Sequence, residues 1–141
     1  SNQPIKGMQV DILHHPGNGP SSDSGSLAIE LIRQRDLSQE LEYHGANPDG
    51  TWHSKNNADR VARGHSIVAT QAGTLDNGDT ADLVVPDNTW QTVFVPLEYD
   101  GAYPAYTHLT VTFSSSSKGD SYKGAVGSIL KIDNIRLIYE E

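Results

Sequence analysis

The residues of this 141-residue chain that are best suited to chemistry surround Trp52, in a segment rich in polar side chains. The face of an indole ring packs against the C–H surface of a sugar ring, while neighbouring polar groups bind the sugar hydroxyls. His53, Asn56, Asn57 and Arg60 follow Trp52 closely and supply such groups. This pattern predicts a binding site for a polysaccharide or oligosaccharide. The alternative is that Trp52 anchors its loop in the core.

A second group of rings, Tyr99, Tyr103 and Tyr106, lies in a polar loop. Such a loop does not readily bury three rings, so we expect at least one to face solvent and to extend the sugar-binding surface. Alternatively, these tyrosines cap one end of the fold. Trp90 opens a segment in which it alternates with core-type residues, which indicates a structural role, and it is left out of the predicted site.

The sequence contains no strong catalytic signature. Glycoside hydrolysis requires two carboxylates about 5 to 10 Å apart across a cleft. Glu30, Glu42 and Glu98 are the first candidates, but nothing in their spacing brings two of them together. The chain also lacks the Gly-x-Ser-x-Gly elbow of serine hydrolases and the phosphate loop of nucleotide-binding proteins. We therefore expect a binding module without catalytic residues, with a small xylanase-like glycoside hydrolase and a structural or adhesion module as the alternatives.

The histidines show no recognised zinc-binding spacing. His14 and His15 are adjacent, so on a strand they would point to opposite faces, which is poor geometry for a shared metal ion. We expect the histidines to be solvated residues of loops. They are His14, His15, His44, His53, His65 and His108.

The composition limits the partners and the architecture. With 10 Lys and Arg against 18 Asp and Glu, the formal charge is −8, which disfavours nucleic acid and anionic membranes. The absence of cysteine excludes disulfides and thiolate metal sites. No apolar run approaches the roughly 20 residues that cross a bilayer, so we expect no transmembrane segment. The length fits a single domain over residues 1–141.

Alternation of apolar and polar residues predicts strands, most clearly over residues 8–12, 90–95 and 109–113. Runs of Gly, Pro, Asn and Asp between such segments predict turns. The strongest turn signal is Asn77-Gly78, which predicts a type I′ hairpin joining a strand near residues 67–75 to one near residues 81–85.

Two segments leave a choice. Residues 26–42 contain many good helix formers, but Leu27, Ile29 and Leu31 alternate, so we favour a strand at about residues 27–33 over a helix, followed by a long polar excursion. Near the C-terminus the alternation slips by one residue at Asp133-Asn134. This slip predicts either a β-bulge or a strand that is buried on both faces.

Three segments together resemble a known family. They are residues 88–99 (NTWQTVFVPLEY), 109–120 (LTVTFSSSSKGD) and 124–137 (GAVGSILKIDNIRL). In order and spacing they are similar to the putative carbohydrate metabolism domain of Bacteroidetes surface and polysaccharide-utilisation proteins. The similarity covers about the last third of the chain. Residues 7–16 and 27–32 look like earlier strands of such a domain, and residues 42–63 have no counterpart.

The resemblance implies an all-β, two-sheet β-sandwich of the jelly-roll or galactose-binding-like kind. It also implies a non-catalytic glycan-binding or carbohydrate-metabolism-associated role in a secreted, periplasmic or cell-surface bacterial protein, although fold transfers more safely than activity. In jelly-roll binding modules a carboxylate on the last strand often helps to hold a structural calcium ion, and Asp133 matches that position. Such a site would need a helper such as Glu30 or Asp11; otherwise Asp133 satisfies backbone donors at the bulge.

Overall fold

The computed structural model describes residues 3–17, 24–42, 56–75, 77–101, 105–116 and 126–141, and these residues form eight β-strands and no helix. The strands are β1 (Ile5–His15), β2 (Gly25–Gln34), β3 (Ala58–Ala69), β4 (Leu83–Val84), β5 (Trp90–Pro96), β6 (Glu98–Tyr99), β7 (His108–Ser114) and β8 (Ile129–Tyr139). The prediction of an all-β chain is confirmed for this part of the sequence.

The strands form two sheets that pack face to face. One sheet has three strands in the order β5-β1-β8, and the other has the order β4-β3-β2-β7, with β6 also paired to β3. Residues from both sheets build one core, in which Met8, Val10 and Ile12 of β1 cluster with Leu27 and Ile29 of β2. The predicted two-sheet sandwich is therefore present.

Alternation sets the two faces of β1. Met8, Val10 and Ile12 point into the core, so Gln9 and Asp11 lie on the outer face of the sheet. The strands predicted over residues 8–12, 90–95 and 109–113 correspond to β1, β5 and β7, and these predictions are confirmed.

The strand favoured over a helix at residues 27–33 is β2, and that prediction is also confirmed. β2 differs from β1 because both of its faces are covered. Leu31 on the inner face is fully buried, and so are Ala28, Glu30 and Ile32 on the outer face, each at most 2% exposed. β2 is therefore the most enclosed strand of the five-stranded sheet.

The prediction for the strand after the polar excursion is wrong in its position. β3 begins at Ala58 and ends at Ala69, whereas the sequence pattern indicated residues 67–75. A register shift against β2, between Leu31 and Ile32, interrupts the alternation in the first half of β3. The buried residues there include the small Ala62, which gives a weak hydrophobic signal.

The hairpin predicted at Asn77-Gly78 is only partly present. Thr74 and Thr80 form an antiparallel bridge across this turn. The strand that follows, β4, pairs with β3 in parallel and not as the second arm of a hairpin. The Asn77-Gly78 pair therefore predicted the turn correctly but not the pairing of the strand that follows it.

The chain crosses from the three-stranded to the five-stranded sheet between β5 and β6. At the crossing, Leu97 donates its backbone N–H to the carbonyl oxygen of Lys6 at 3.0 Å. Gly64 of β3 lies directly against this point, because a Cβ there would overlap with the carbonyl oxygen of Pro96 and would meet Ile29 Cγ2 at 3.1 Å. Only glycine lets the crossing approach β3 this closely.

The β-bulge predicted in β8 is confirmed. Gln9 and Asp11 of β1 are two residues apart, while their partners Arg136 and Asp133 on β8 are three residues apart. Asn134 lies in the segment of β8 that contains the extra residue. Its φ of 52° falls in the left-handed region, which asparagine tolerates better than most residues. Seven of the 11 residues of β8 are exposed and none is fully buried, which excludes a strand buried on both faces.

Candidate functional site

The outer face of the three-stranded sheet carries an exposed indole together with polar side chains, and we call it the Trp90 face. Its three strands hold these side chains in register, because residues paired across strands share a face. Its members are Gln9, Asp11 and Leu13 on β1, Trp90, Thr92 and Phe94 on β5, and Lys131, Asp133, Asn134 and Arg136 on β8.

Trp90 is 48% exposed although it belongs to a strand. Val93 and Val95 of β5 face the core, whereas Trp90 lies on the other face, opposite Leu13. The structural role predicted for Trp90 stays a prediction. β5 carries large apolar residues on both faces, with Trp90 and Phe94 on the outer one. An exposed indole on a rigid strand is a surface that a sugar ring can pack against.

Asp11 is held at the centre of the Trp90 face by two hydrogen bonds. Its carboxylate accepts one from Thr92 Oγ1 at 2.6 Å and one from Asn134 Nδ2 at 2.7 Å. The hydrogen bond from Asn134, followed by that from Thr92, lowers the pKa of Asp11 below its ordinary value, and the charge of Arg136 acts in the same direction. Asp11 is therefore an ionised acceptor with a fixed orientation.

The β-bulge supplies part of this network. It turns the side chain of Asn134 toward Asp11, while Asp133 Oδ1 accepts a hydrogen bond from the backbone N–H of Asn134 at 2.8 Å. Bulges often re-aim side chains in this way next to functional sites. The result is an open cavity of about 330 Å³, lined by Asp11, Trp90, Gln91, Thr92 and Asp133.

Phe94 continues the aromatic surface along β5. Its ring lies over Gly7 of β1, where a Cβ would overlap with it. Trp90 and Phe94 are four residues apart on the same face of one strand, which corresponds to a separation of about 13 Å. The Trp90 face thus has an apolar edge along β5 and a polar surface across β1 and β8.

The turn before Trp90 is fixed to β1. His15 Nδ1 and Asp87 Oδ1 are 2.8 Å apart. Asn88 donates its backbone N–H to the carbonyl oxygen of His14, also at 2.8 Å. These contacts determine where β5 starts and therefore where Trp90 is presented.

Two polar residues predicted to surround Trp52 form bonds within the described chain. Asn57, which has a φ of 60°, bonds the backbone N–H and carbonyl of Asp36 through its side-chain amide, both at 2.8 Å. Asn56 donates to Glu42 Oε2 at 3.0 Å. These bonds close the base of the β2–β3 loop, which gives both asparagines a structural role whatever else they bind.

Arg60, Tyr99 and Tyr106 of the predicted site lie at one end of the sandwich. Arg60 donates to both carboxylate oxygens of Asp100, at 2.6 and 3.2 Å. The Tyr99 hydroxyl donates to the carbonyl oxygen of Ile5 at 2.8 Å, and burial raises the pKa of Tyr99. Tyr106 is 39% exposed, which confirms that at least one of these tyrosines faces solvent.

Three members of the predicted site, Trp52, His53 and Tyr103, lie outside the described residues. The sugar-binding site around Trp52 therefore stays a prediction. What the structure does bring together is Arg60, Asp100 and the adjacent Tyr99, next to the ends of β3 and β6.

The carboxylates considered for calcium are only partly adjacent. Asp133 and Asp11 are register partners on β8 and β1, whereas Glu30 lies on β2 of the other sheet. Asp11 already accepts two hydrogen bonds. Within the described ranges there is no group of three or more His, Asp or Glu side chains suited to a metal ion. A structural calcium ion at Asp133 stays a prediction.

The expectation that the histidines are loop residues is wrong for those the structure describes. His14, His15, His65 and His108 all belong to strands. His14 is fully buried, and His65 Nε2 lies 2.8 Å from Ser26 Oγ. His14 and His15 do point to opposite faces of β1, as their adjacency predicted.

The acidic residues considered for hydrolysis are separated by their burial. Glu30 and Glu98 both face Arg63 of β3 in register, on the outer face of the five-stranded sheet. Glu98 is exposed and lines a groove of about 330 Å³ with Arg63. Glu30 is only 1% exposed, and among the residues that the structure describes it does not line this groove. Asp100 also lines this groove, and its carboxylate is bonded to Arg60, so Glu98 and Glu30 do not form a pair there.

Comparison with known proteins defines the family. Searches of the curated proteins and of the solved structures found no match. The model of one family, described as the putative carbohydrate metabolism domain, matches residues 19–138, which leaves β1 and Asp11 outside the matched region. The described part of the chain contains no helix that is long and apolar enough to span a membrane. Because the match covers most of the sequence, the chain belongs to the putative carbohydrate metabolism domain family.

Proposed function

We propose that this chain is a non-catalytic glycan-binding module and that it binds a polysaccharide or oligosaccharide on the Trp90 face. The observation that carries the proposal is the 48% exposure of Trp90 on a paired strand, beside the hydrogen-bonded array around Asp11. Exposed aromatic surface rimmed by polar groups is typical of an interaction site. The family supports a carbohydrate-related role.

The chemistry of the face matches that of a sugar. Trp90 offers the apolar surface on which a pyranose ring packs, and Asp11 and Asp133 accept hydrogen bonds from hydroxyl groups. Lys131 and Arg136 on β8 donate to hydroxyl oxygens. All five side chains are carried by strands, so a ligand would meet them with little loss of protein conformational entropy.

The proposal extends to features that the resemblance implies. These are the jelly-roll or galactose-binding-like topology, the secreted, periplasmic or cell-surface location, and a calcium ion near Asp133. The loop around Trp52 is the second proposed location for the sugar site, together with Arg60 and Tyr106.

The experiment is a calorimetric titration of the chain and of Trp90→Ala against a polysaccharide panel. Removal of a central aromatic anchor costs about 2 kcal/mol or more, so we expect Kd to rise by roughly 30-fold or more. The matched control is Val84→Ala, because Val84 is 52% exposed and lies on the other sheet. This control should bind as the unmodified chain does.

Two results would contradict the proposal. If Trp52→Ala abolished binding and Trp90→Ala did not, the sugar site would belong to the loop and not to the Trp90 face. If soluble sugar were released from the panel, the chain would be an enzyme, and Glu98 and Glu42 would be the first residues to substitute.

A further inference from the structure

We propose that the chain forms a symmetric dimer through strand β8, which pairs antiparallel with β8 of a second copy. The two three-stranded sheets would then join into one continuous six-stranded sheet. This inference is independent of the proposed function, since it rests on the edge of the sheet and not on the Trp90 face as a binding site.

β8 is an edge strand in the sheet that the described residues form. It spans 11 residues and pairs only with β1 in the order β5-β1-β8. A long edge strand presents a row of unpaired backbone N–H and C=O groups, which is a template for pairing with another chain. The free edge of β8 is therefore the natural place for a partner strand.

Apolar exposure is concentrated on this strand. Ile129, Ile135 and Tyr139 are 40%, 47% and 49% exposed, and all three belong to β8. The inward-facing Ile132 and Leu137 pack against the core but are only partly buried. The side of the sandwich along β8 is thus less completely covered than β1 or β2, and a strand added there would bury more of this surface.

The β-bulge restricts the register that a second β8 can adopt. Asp133 and Arg136 lie on the outer face, opposite Asp11 and Gln9, although they are three residues apart. In a regular strand, residues three apart point to opposite faces, so the bulge reverses the usual parity. When two copies of β8 pair antiparallel, paired residues therefore lie on the same face of the sheet only if their residue numbers add up to an odd number, as those of Asp133 and Arg136 do.

One such register also matches the charges. If a twofold axis passes between Asn134 and Ile135, Asp133 of each copy lies opposite Arg136 of the other, and both are on the outer face. On the inner face, Ile132 then lies opposite Leu137. Opposite charges across a strand pair are favourable, and the symmetry of the dimer forms this pair twice.

The adjacent register is unfavourable. Moving the axis by one residue, to a point between Asp133 and Asn134, brings Lys131 of each copy opposite Arg136 of the other, and like charges directly opposite are destabilising. In the favoured register the twofold axis passes through both bulges, so the bulge of one strand lies opposite the bulge of the other. The pairs on either side of the bulge remain aligned.

The dimer would place two Trp90 faces on one side of a single sheet. Trp90 lies on the outer strand β5 of each copy, level with Lys131 of β8, so the two indoles would be about 24 Å apart across the sheet and further offset along the strands. An extended polymer that reached both faces would bind with avidity. Ile135→Lys, which changes no residue of the Trp90 face, should then weaken binding to a long polymer and leave binding to a short oligosaccharide unchanged.

The experiment is sedimentation equilibrium of the whole chain over a range of concentrations, with charge-reversal variants. We expect the unmodified chain to reach twice its 15.3 kDa mass. Arg136→Asp should raise the dimer dissociation constant at least about tenfold, because it places two carboxylates opposite each other twice. The double variant Asp133→Arg/Arg136→Asp should restore the dimer. Arg35→Asp, the same charge change at the residue that follows β2, should leave it intact.

The outcomes separate clearly. A monomer at every concentration, or an Arg136→Asp variant as dimeric as the unmodified chain, would overturn the proposal. A folded double variant that stayed monomeric would overturn the proposed register. Because Asp133 also bonds the bulge, circular dichroism must first show that its variants fold. Ile135→Lys, which keeps Asp133, should give a folded monomer, and a dimeric Ile135→Lys chain would also refute the model.

Discussion

Replacement of Gly64 by alanine should destabilise the sandwich at the point where the chain changes sheets. The new Cβ would overlap with the carbonyl oxygen of Pro96 and would lie 3.1 Å from Ile29 Cγ2. The carbonyl belongs to the backbone of the crossing and cannot rotate away as a side-chain tip can. Ile29 is fully buried in the core, so it has little space into which to move.

The expected loss in the free energy of unfolding follows from the one methyl group that the substitution adds. Overpacking by one methyl group in a well-packed region typically costs about 1 to 3 kcal/mol. For a chain of this length, each kcal/mol corresponds to roughly 3 to 5 °C in Tm. We therefore expect Gly64→Ala to lower Tm by roughly 3 to 15 °C. Part of the loss is offset because alanine reduces the entropy of the unfolded chain.

Urea unfolding followed by circular dichroism measures this loss directly, provided that the transition is two-state. The matched control is Gly101→Ala, because a Cβ at Gly101 would meet nothing within 4 Å. This control should be neutral or slightly stabilising. A Gly64→Ala protein as stable as Gly101→Ala would refute the account of the crossing between β5 and β6.

Three further predictions concern named residues. Gly7→Ala would bring a Cβ into overlap with the Phe94 ring and the carbonyl oxygen of Val95, so it should reduce stability by about 1 to 3 kcal/mol, measured by urea unfolding. Unchanged stability would contradict the close packing of β5 on Gly7. Burial raises the pKa of Tyr99, so its contribution to stability is complete below the unfolded-state pKa and is lost as pH rises through the higher folded-state pKa. Tyr99→Phe should flatten this alkaline decline when unfolding is measured as a function of pH. An unaltered decline would count against the burial of Tyr99 as its cause. Hydrogen bonds lower the pKa of Asp11, so its contribution is present above the unfolded-state pKa and is lost as pH falls through the lower folded-state pKa. Asp11→Asn should therefore remove part of the acid-induced loss of stability, and an identical acid limb would contradict the role of its hydrogen bonds.

The strands that the sequence predicted best are those with clean alternation. In β1 and β7 one face meets the core and the pattern follows from that geometry, and in β2 the apolar Leu27, Ile29 and Leu31 alternate although both faces are buried. The slip at Asp133-Asn134 was equally informative, because an extra residue in one strand leaves a phase change that can be read directly.

The misplaced features have physical reasons. The first half of β3 carries charged residues such as Arg60 and Arg63 on its outer face and a register shift against β2, so its apolar signal is weak. Trp90 was left out of the predicted site because it alternates with core-type residues, and its pairing with Leu13 shows that it lies on the outer face. Position in the sheet, and not residue type, decides whether an aromatic side chain is exposed.

The candidate site was therefore beyond reach of sequence patterns alone. Asp11, Thr92 and Asn134 are far apart in the chain, and their hydrogen bonds depend on the order of three strands. The nearest signal was the predicted bulge, which supplies Asn134. A search for polar residues beside bulges on an exposed sheet face would have found this array.

The most direct test of glycan binding on the Trp90 face uses tryptophan fluorescence. The chain has 2 tryptophans, so Trp52→Phe leaves Trp90 as the sole indole and Trp90→Phe leaves Trp52. On titration with an oligosaccharide that the unmodified chain binds, we expect the emission of the Trp52→Phe protein to shift to the blue, because a sugar would cover an indole that is 48% exposed. A shift seen only in the Trp90→Phe protein, with none in Trp52→Phe, would contradict the account.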